Sequence, residues 1–177
     1  RFLEYLRTTK QHMNTVIDVG AWCGTWSKAI EPFAKKVIAF EPDSVHFECL
    51  QRNCAVNCDA RMEAVGSEIK QISLTEDNFT QAKRIDKQGD INMTTLDKLQ
   101  IKDVDMIKID VEGYEMEVLK GAEKTLDSVK YLMIELNNNT KKYGSSNLEI
   151  EKHIGGLGYQ TLISHWPDKV FYRPDVN

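Results

Sequence analysis

The stretch VIDVGAWCGTWSKAI, residues 16–30, constrains the fold of this chain more than any other. Val16, Ile17 and Val19 make a β-branched apolar run of the kind that forms a buried strand. Trp26, Ala29, Ile30 and Phe33 then recur at helical spacing, so the order is strand, glycine turn, helix. Gly20 and Gly24 free the backbone for φ > 0 and for close approach of a ligand. Open α/β sheets bind their ligands at such carboxyl ends of strands.

Spacing and charge narrow the ligand. A dinucleotide fingerprint needs G-x-G-x-x-G, whereas counting from Gly20 this chain has Trp22 and Thr25 at the second and third glycine positions. Asp18, two residues before the first glycine, adds a carboxylate that repels phosphate and suits a ligand with a sulfonium and an ammonium group. S-adenosyl-L-methionine fits that description. A glycine pair alone also fits a plain strand-to-helix turn. Val37 to Phe40 forms a second strand, and Glu41, 21 residues beyond Gly20, stands where an acid can accept hydrogen bonds from both ribose hydroxyls. Beside Pro42 it equally suits a helix start.

Further along, Phe47, Leu50 and Cys54 mark a helix, and Ala60 to Val65 (ARMEAV) reads as strand three, with the adenine expected near Ala64 and Val65. Residues 67–95 break the β/α alternation: Ile72 and Leu74 are strand-like, Thr75 to Gln88 is polar, and Ile91 to Leu96 resumes. This predicts an inserted strand pair or flap. Met106 to Val111 is the fourth main strand, followed by a helical stripe of Met116, Leu119, Ala122 and Leu126 that belongs in the core. Tyr131 to Leu136 is strand five, Asn137 to Asn147 a polar loop, and Gly155, Gly156 and Gly158 end a helix. Tyr159 to Ser164 and Lys169 to Arg173 then form a hairpin across HWPD. Residues 1–14, with Phe2, Tyr5 and Leu6 at helical spacing, read as an N-terminal helix or its remnant.

At 177 residues the chain is expected to be one domain, burying roughly two-thirds of its unfolded surface. Its net charge of −4 and pI near 5.6 argue against nucleic acid as the partner. It has no apolar run near the ~18 residues of a membrane span and no signal-peptide pattern. Cys23, Cys49, Cys54 and Cys58 lack C-x-x-C spacing, so no zinc site is expected, and they read as reduced thiols of a cytoplasmic protein. Nothing in the sequence fixes the oligomeric state.

Several separated segments agree with one family. VIDVGAWCGTWS, VIAFEPD, EAVGS, TTLDKL, IKIDVEGYEMEVLKGA and YLMIEL, in this order, resemble the FkbM-type methyltransferases, from about Thr15 to Lys169. The resemblance implies an α/β fold, a Rossmann-like class I methyltransferase sandwich with a mostly parallel sheet and a C-terminal antiparallel hairpin. It also implies S-adenosylmethionine-dependent O-methylation of a hydroxyl on a sugar or other natural-product-like small molecule. Carried across, Asp18, Gly20, Ala21 and Gly24 match the cofactor loop, Glu41 the ribose acid, and Asp110 and Glu112 the acidic pair after strand four. Trp22 departs from the small polar residue usual in the family; its ring either shields the sulfonium or packs the loop.

An aliphatic hydroxyl is a weak nucleophile and needs a base or a metal. Strands four and five should bring Asp110, Glu112 and Glu135 to one rim, with Lys108 on the same strand face as Asp110. Asp110 and Glu135 are candidate bases, and His165 on the hairpin turn is another. Lys108 suits a buried counterion and Glu112 a helix-start acid. A hard divalent cation held by the carboxylates is the less favoured alternative. The competing functions are a catalytically silent cofactor-binding module and, against the defective glycine pattern, a nicotinamide-dependent oxidoreductase.

Overall fold

In the computed structural model, which describes residues 1–76 and 83–176, an N-terminal helix α1 (Phe2–Thr9) leads into strand β1 (Met13–Val19). Helix α2 (Thr25–Ile30), strand β2 (Ala34–Phe40), helix α3 (Ser44–Asn53) and strand β3 (Cys58–Arg61) follow. Two residues of β4 (Ala64–Val65), strands β5 (Lys70–Glu76) and β6 (Lys83–Thr94) and the short helix α4 (Leu96–Leu99) come next. Then come β7 (Val104–Ile109), α5 (Glu115–Lys120), α6 (Glu123–Leu126), β8 (Tyr131–Glu135), α7 (Asn147–Gly156), and the hairpin of β9 (Gln160–His165) and β10 (Asp168–Tyr172).

The main sheet has the order β3-β2-β1-β7-β8-β10-β9. Its first five strands run parallel, and β10 pairs antiparallel with both β8 and β9. The apolar β1 run is explained by its place between β2 and β7, where Ile17 pairs with both Ile38 and Ile107 and both faces are covered by helices. Ile17, its cross-strand neighbours Ile38 and Ile107, and Ile109 face α5, α6 and α7 through Leu119, Leu126 and Ile154. Val16 and Met106 face α1 and α2 through Leu6 and Ile30. Of the predicted stripe, Leu119, Ala122 and Leu126 are buried and Met116 packs against them.

The ARMEAV run is not one strand. Arg61 is the last residue paired with β2, Met62 turns half into solvent, and Ala64 and Val65 join β6 in a second sheet of order β4-β6-β5. This small sheet roofs the carboxyl end of the main one, packing Ile72 and Met93 on Tyr114. The polar stretch expected between its strands lies partly outside the described residues. Two further expectations change. Asn137 to Asn147 is a polar loop only in part, since residues Asn138–Tyr143 wind into a 3-10 turn, which Asn137 opens by accepting the Asn139 N–H.

Nor are all four cysteines reduced. Cys54 and Cys58 form a disulfide across the turn from α3 to β3, where their Cα atoms lie 5.5 Å apart; Cys23 and Cys49 are free thiols. A spacing of four residues concealed a turn that reverses the chain. The inference of a reducing compartment loses its premise, because disulfides persist in oxidising surroundings. No helix among the described residues is long and apolar enough to cross a membrane.

Candidate active site

The glycine loop is built by backbone before any ligand is considered. Gly20 and Ala21 both donate their N–H to the Phe40 carbonyl, at 3.0 and 2.9 Å, tying the loop to the end of β2. Gly20 has φ +79, and a Cβ there would lie 1.8 Å from the Asp110 carbonyl oxygen. The neighbouring strand end alone therefore demands a glycine there. Gly24, with φ +78, packs on Leu50 of α3 in the same way.

Above the ends of β1, β2 and β7 lies a cavity of about 440 Å³, within the range of small-molecule sites. Gly20, Trp22, Glu41, Pro42, Ala64, Val65, Asp110, Glu112 and Glu135 all line it. Asp18, Ala21, Gly24, Lys108 and His165 do not. Asp18 is fully buried on the α2 side of the sheet, accepting the Ser27 hydroxyl at 2.6 Å and lying 3.3 Å from the Lys108 ammonium. Its charge is paired inside the fold, beneath the cavity rather than at its surface. Lys108 bridges Asp18 and Asp110, 3.2 Å away. Burial alone would push Lys108 down, but the two carboxylates outweigh it and hold it above its ordinary value. His165 is solvent-exposed at the hairpin end.

At one end of the cavity Glu41 accepts the Trp22 N–H on Oε2 and the Asp43 N–H on Oε1, each at 2.9 Å. Burial nevertheless pushes it up to about 7, against the pull of those two donors. The Trp22 ring, 46% exposed, sits edge-on to His46 at 6.0 Å between centroids. The middle is apolar, formed by Val19, Phe40, Val65, Leu74 and Val111.

At the other end the carboxylates of Asp110, Glu112 and Glu135 lie within 4.8 Å of one another. Burial, then the charges of Asp110 and Glu112, push Glu135 up to about 8; the amide of Asn137, donating at 2.7 Å, works the other way. Three carboxylates this close cannot all stay charged without a proton or a cation. They could hold a divalent ion. The other metal-like grouping among the described residues, Glu31, Cys54 and Cys58, has its two sulfurs bonded to each other.

Sequence reading left out Asp168, His46 and Glu63, and had Asn139 only within the polar loop of residues 137–147. Asn139 lines the cavity and donates to Glu112 at 2.8 Å. Asp168 faces Glu135 across the β8–β10 ladder, and burial and the Asp110 charge raise it. His46 and Glu63 complete the cofactor-end wall. His46 carried a legible signal, three residues after the capping Asp43, which accepts its N–H at 3.0 Å.

A family model described as the Methyltransferase FkbM domain matches residues 18–161. The chain belongs to the FkbM methyltransferase family. The crystal structure of methyltransferase FkbM from Methylobacillus flagellatus KT superposes with a TM-score of 0.66 at 19% identity, over 90% of this chain and 43% of that one. The FkbM chain described here thus spans less than half the length of that relative. Magnesium protoporphyrin IX methyltransferase from Synechocystis PCC 6803, solved with bound SAM, gives a TM-score of 0.61 at 11% identity, covering 97% of this chain and 76% of the other. N-methyltransferase NodS from Bradyrhizobium japonicum WM9, in complex with S-adenosyl-L-homocysteine, gives 0.55 at 11%, covering 98% and 85%. No curated protein sequence matches the chain. These relatives share the Rossmann-like α/β fold, with its mostly parallel sheet and antiparallel C-terminal hairpin.

Proposed function

We propose that this FkbM-family chain binds S-adenosylmethionine across the ends of β1 and β2 and O-methylates a hydroxyl of a small molecule, a sugar or a natural-product-like compound. One observation carries the cofactor assignment. Among the described residues the cavity is lined by Glu41, Glu63, Asp110, Glu112 and Glu135 and by no Lys or Arg. An acid-lined cavity repels the pyrophosphate of a nicotinamide dinucleotide and attracts a sulfonium and an ammonium. It also disfavours a nucleic-acid acceptor. The SAM and S-adenosylhomocysteine held by two of the fold relatives support the same reading.

The bound cofactor would supply an electrophilic methyl group. This chain's residues would do the rest. Glu41 would accept from the ribose hydroxyls, with Phe40, Ala64 and Val65 against the adenine and the Trp22 ring beside the cation. Asp110 and Glu135 would receive the acceptor's hydroxyl, and a carboxyl held near neutral pKa is suited to taking its proton. Asn137 and Asn139, holding Glu135 and Glu112, would fix the acid cluster in place. Acceptor choice would fall to the roof, residues 70–90, and to residues 137–147, which flank this rim; part of the roof segment lies outside the described residues.

Calorimetric titration of S-adenosylmethionine against NAD tests the cofactor, with binding of the first alone expected. Product formation across a panel of hydroxylated acceptors then separates an enzyme from a silent binder. Binding of NAD in place of S-adenosylmethionine would end this reading.

A further inference from the structure

All four cysteines gather around α3. Two are bonded at its C-terminal end, and the free pair, Cys23 and Cys49, sits where the glycine loop meets the helix. Contacts on that helix face fix the pair's placement. A Cβ on Gly24 would lie 2.8 Å from Leu50 Cδ1 and 3.4 Å from Leu50 Cα, so the backbone beside Cys23 presses on the backbone beside Cys49. The Asn53 side-chain amide donates to the Cys23 carbonyl at 2.7 Å. Cys49 and Asn53 are four residues apart in one helix and share a face. Cys49 therefore points at the loop residue that Asn53 holds.

We infer that Cys23 and Cys49 are an oxidisable thiol pair, a modification site for a peroxide-class oxidant that fastens the cofactor loop to α3. Both residues are half-buried, so a small oxidant has access to them. Burial and the neighbouring Cys49 thiol, with the charges of Glu41 and Asp43, hold the Cys23 thiol above its ordinary value. Little thiolate forms there at neutral pH, and oxidation is faster in base. In the reaction one thiolate attacks a peroxide oxygen, the O–O bond breaks, the sulfur becomes a sulfenic acid, and the expelled hydroxide takes up a proton to become water. The second thiolate attacks that sulfur, forming the S–S bond and expelling hydroxide, which takes up a proton. Two thiols have lost two electrons and two protons, and hydrogen peroxide has become two waters.

The bond draws Cys23 towards α3, to a sulfur separation of about 2 Å. Trp22, the preceding residue, gives its N–H to Glu41, so the pull is transmitted to the proposed ribose acid. Oxidation should weaken S-adenosylmethionine binding about tenfold, the scale of one hydrogen bond to a charged group. This last link rests on the cofactor assignment above.

Trypsin offers a clean assay, because cleavage after Arg52 separates Cys49 from Cys54 and Cys58. Peroxide treatment of the purified protein should link peptide 11–28 to peptide 37–52, reversibly with dithiothreitol, and Cys23→Ser or Cys49→Ser should each abolish the link. Sulfinic acid on either thiol without that linked peptide, or a link from 11–28 to 53–61, would overturn the site. A 23–49 link with unchanged S-adenosylmethionine affinity would overturn the coupling to the cofactor loop. If the reduced protein binds no S-adenosylmethionine, the cofactor assignment fails while the cross-link still decides the thiol pair.

Discussion

Asp168 stands directly opposite Glu135 in the antiparallel ladder between β8 and β10, placing a fourth carboxylate at the rim where Asp110 and Glu112 already meet. The hairpin that ends the sheet thus helps set the charge of the site. Charge this dense is measurable through Glu135. Asp110→Asn removes the largest charge acting on it and should bring its pKa down from about 8, whereas Asn137→Ala removes the donor that favours its ionised form and should push it higher still. Carboxyl ¹³C titration by NMR reads both shifts; movement in one direction for both variants would sink this account.

The same groups give stability a pH slope. Glu135, Glu41 and Glu115 are raised to about 8, 7 and 6 from an ordinary 4.5, so between pH 4.5 and 8 the folded protein binds more protons than the unfolded chain. Stability is then highest in the acid part of that window and falls as pH rises through it. The melting temperature of the ligand-free protein should drop from pH 5 to pH 8, and Glu135→Gln should flatten the slope. A melting temperature that climbs over this range would contradict the raised carboxyls.

Glu41→Ala should cost S-adenosylmethionine binding roughly 1.5–3 kcal/mol, or about 10–150-fold. Binding should also tighten between pH 6 and 8 as Glu41 ionises through about 7. Calorimetry on the folded variant decides: unchanged affinity would remove Glu41 from the ribose site.

Gly20→Ala should cost the fold before it costs the ligand. Its Cβ would sit 1.8 Å from the Asp110 carbonyl at φ +79, an overpacking and strain penalty of about 1–3 kcal/mol or more. Gly144→Ala shares a positive φ but has nothing within 4 Å of the added carbon, so it should cost only the strain. Equal losses in melting temperature for the two would refute the steric account.

With an acceptor in hand, Asp110→Asn or Glu135→Gln should lower turnover on the order of 10²–10⁴-fold while S-adenosylmethionine still binds. Chelator should leave the wild type unaffected if a carboxylate is the base. Loss of activity on chelation, restored by Mg²⁺ or Mn²⁺, would assign the cluster to a metal instead.

Most of the sheet was readable because its strands are buried on both faces and therefore continuous in apolar character. Glu41, Asp110 and Glu135 were readable for a related reason: a carboxylate closing such a run stands out. Asp18 misled because sequence shows a charge and not its partner; Lys108 is 90 residues away. Gly20 was readable as a turn at the cavity, although a glycine needed by a neighbouring strand looks the same as one needed by a ligand. Asp168 was invisible, its relevance arising only from antiparallel register, and Asn139 was readable only as part of a polar loop, its hold on Glu112 arising from a 3-10 turn. The split of ARMEAV followed from Met62, whose outward turn breaks a pattern that alternation alone would have continued.

Among the described residues the roof pairs with β4 at two positions, Ala64 with Met93 and Val65 with Thr94, and it departs from the main sheet after Arg61 and returns before Val104. It is, in effect, a cassette. Lengthening or exchanging residues between 67 and 92 would leave the order of the seven main strands and the floor under Glu41 and Asp110 unaltered. On the proposed function, a lineage could therefore change its acceptor by editing one contiguous stretch of gene, while inheriting the proposed donor-binding floor intact.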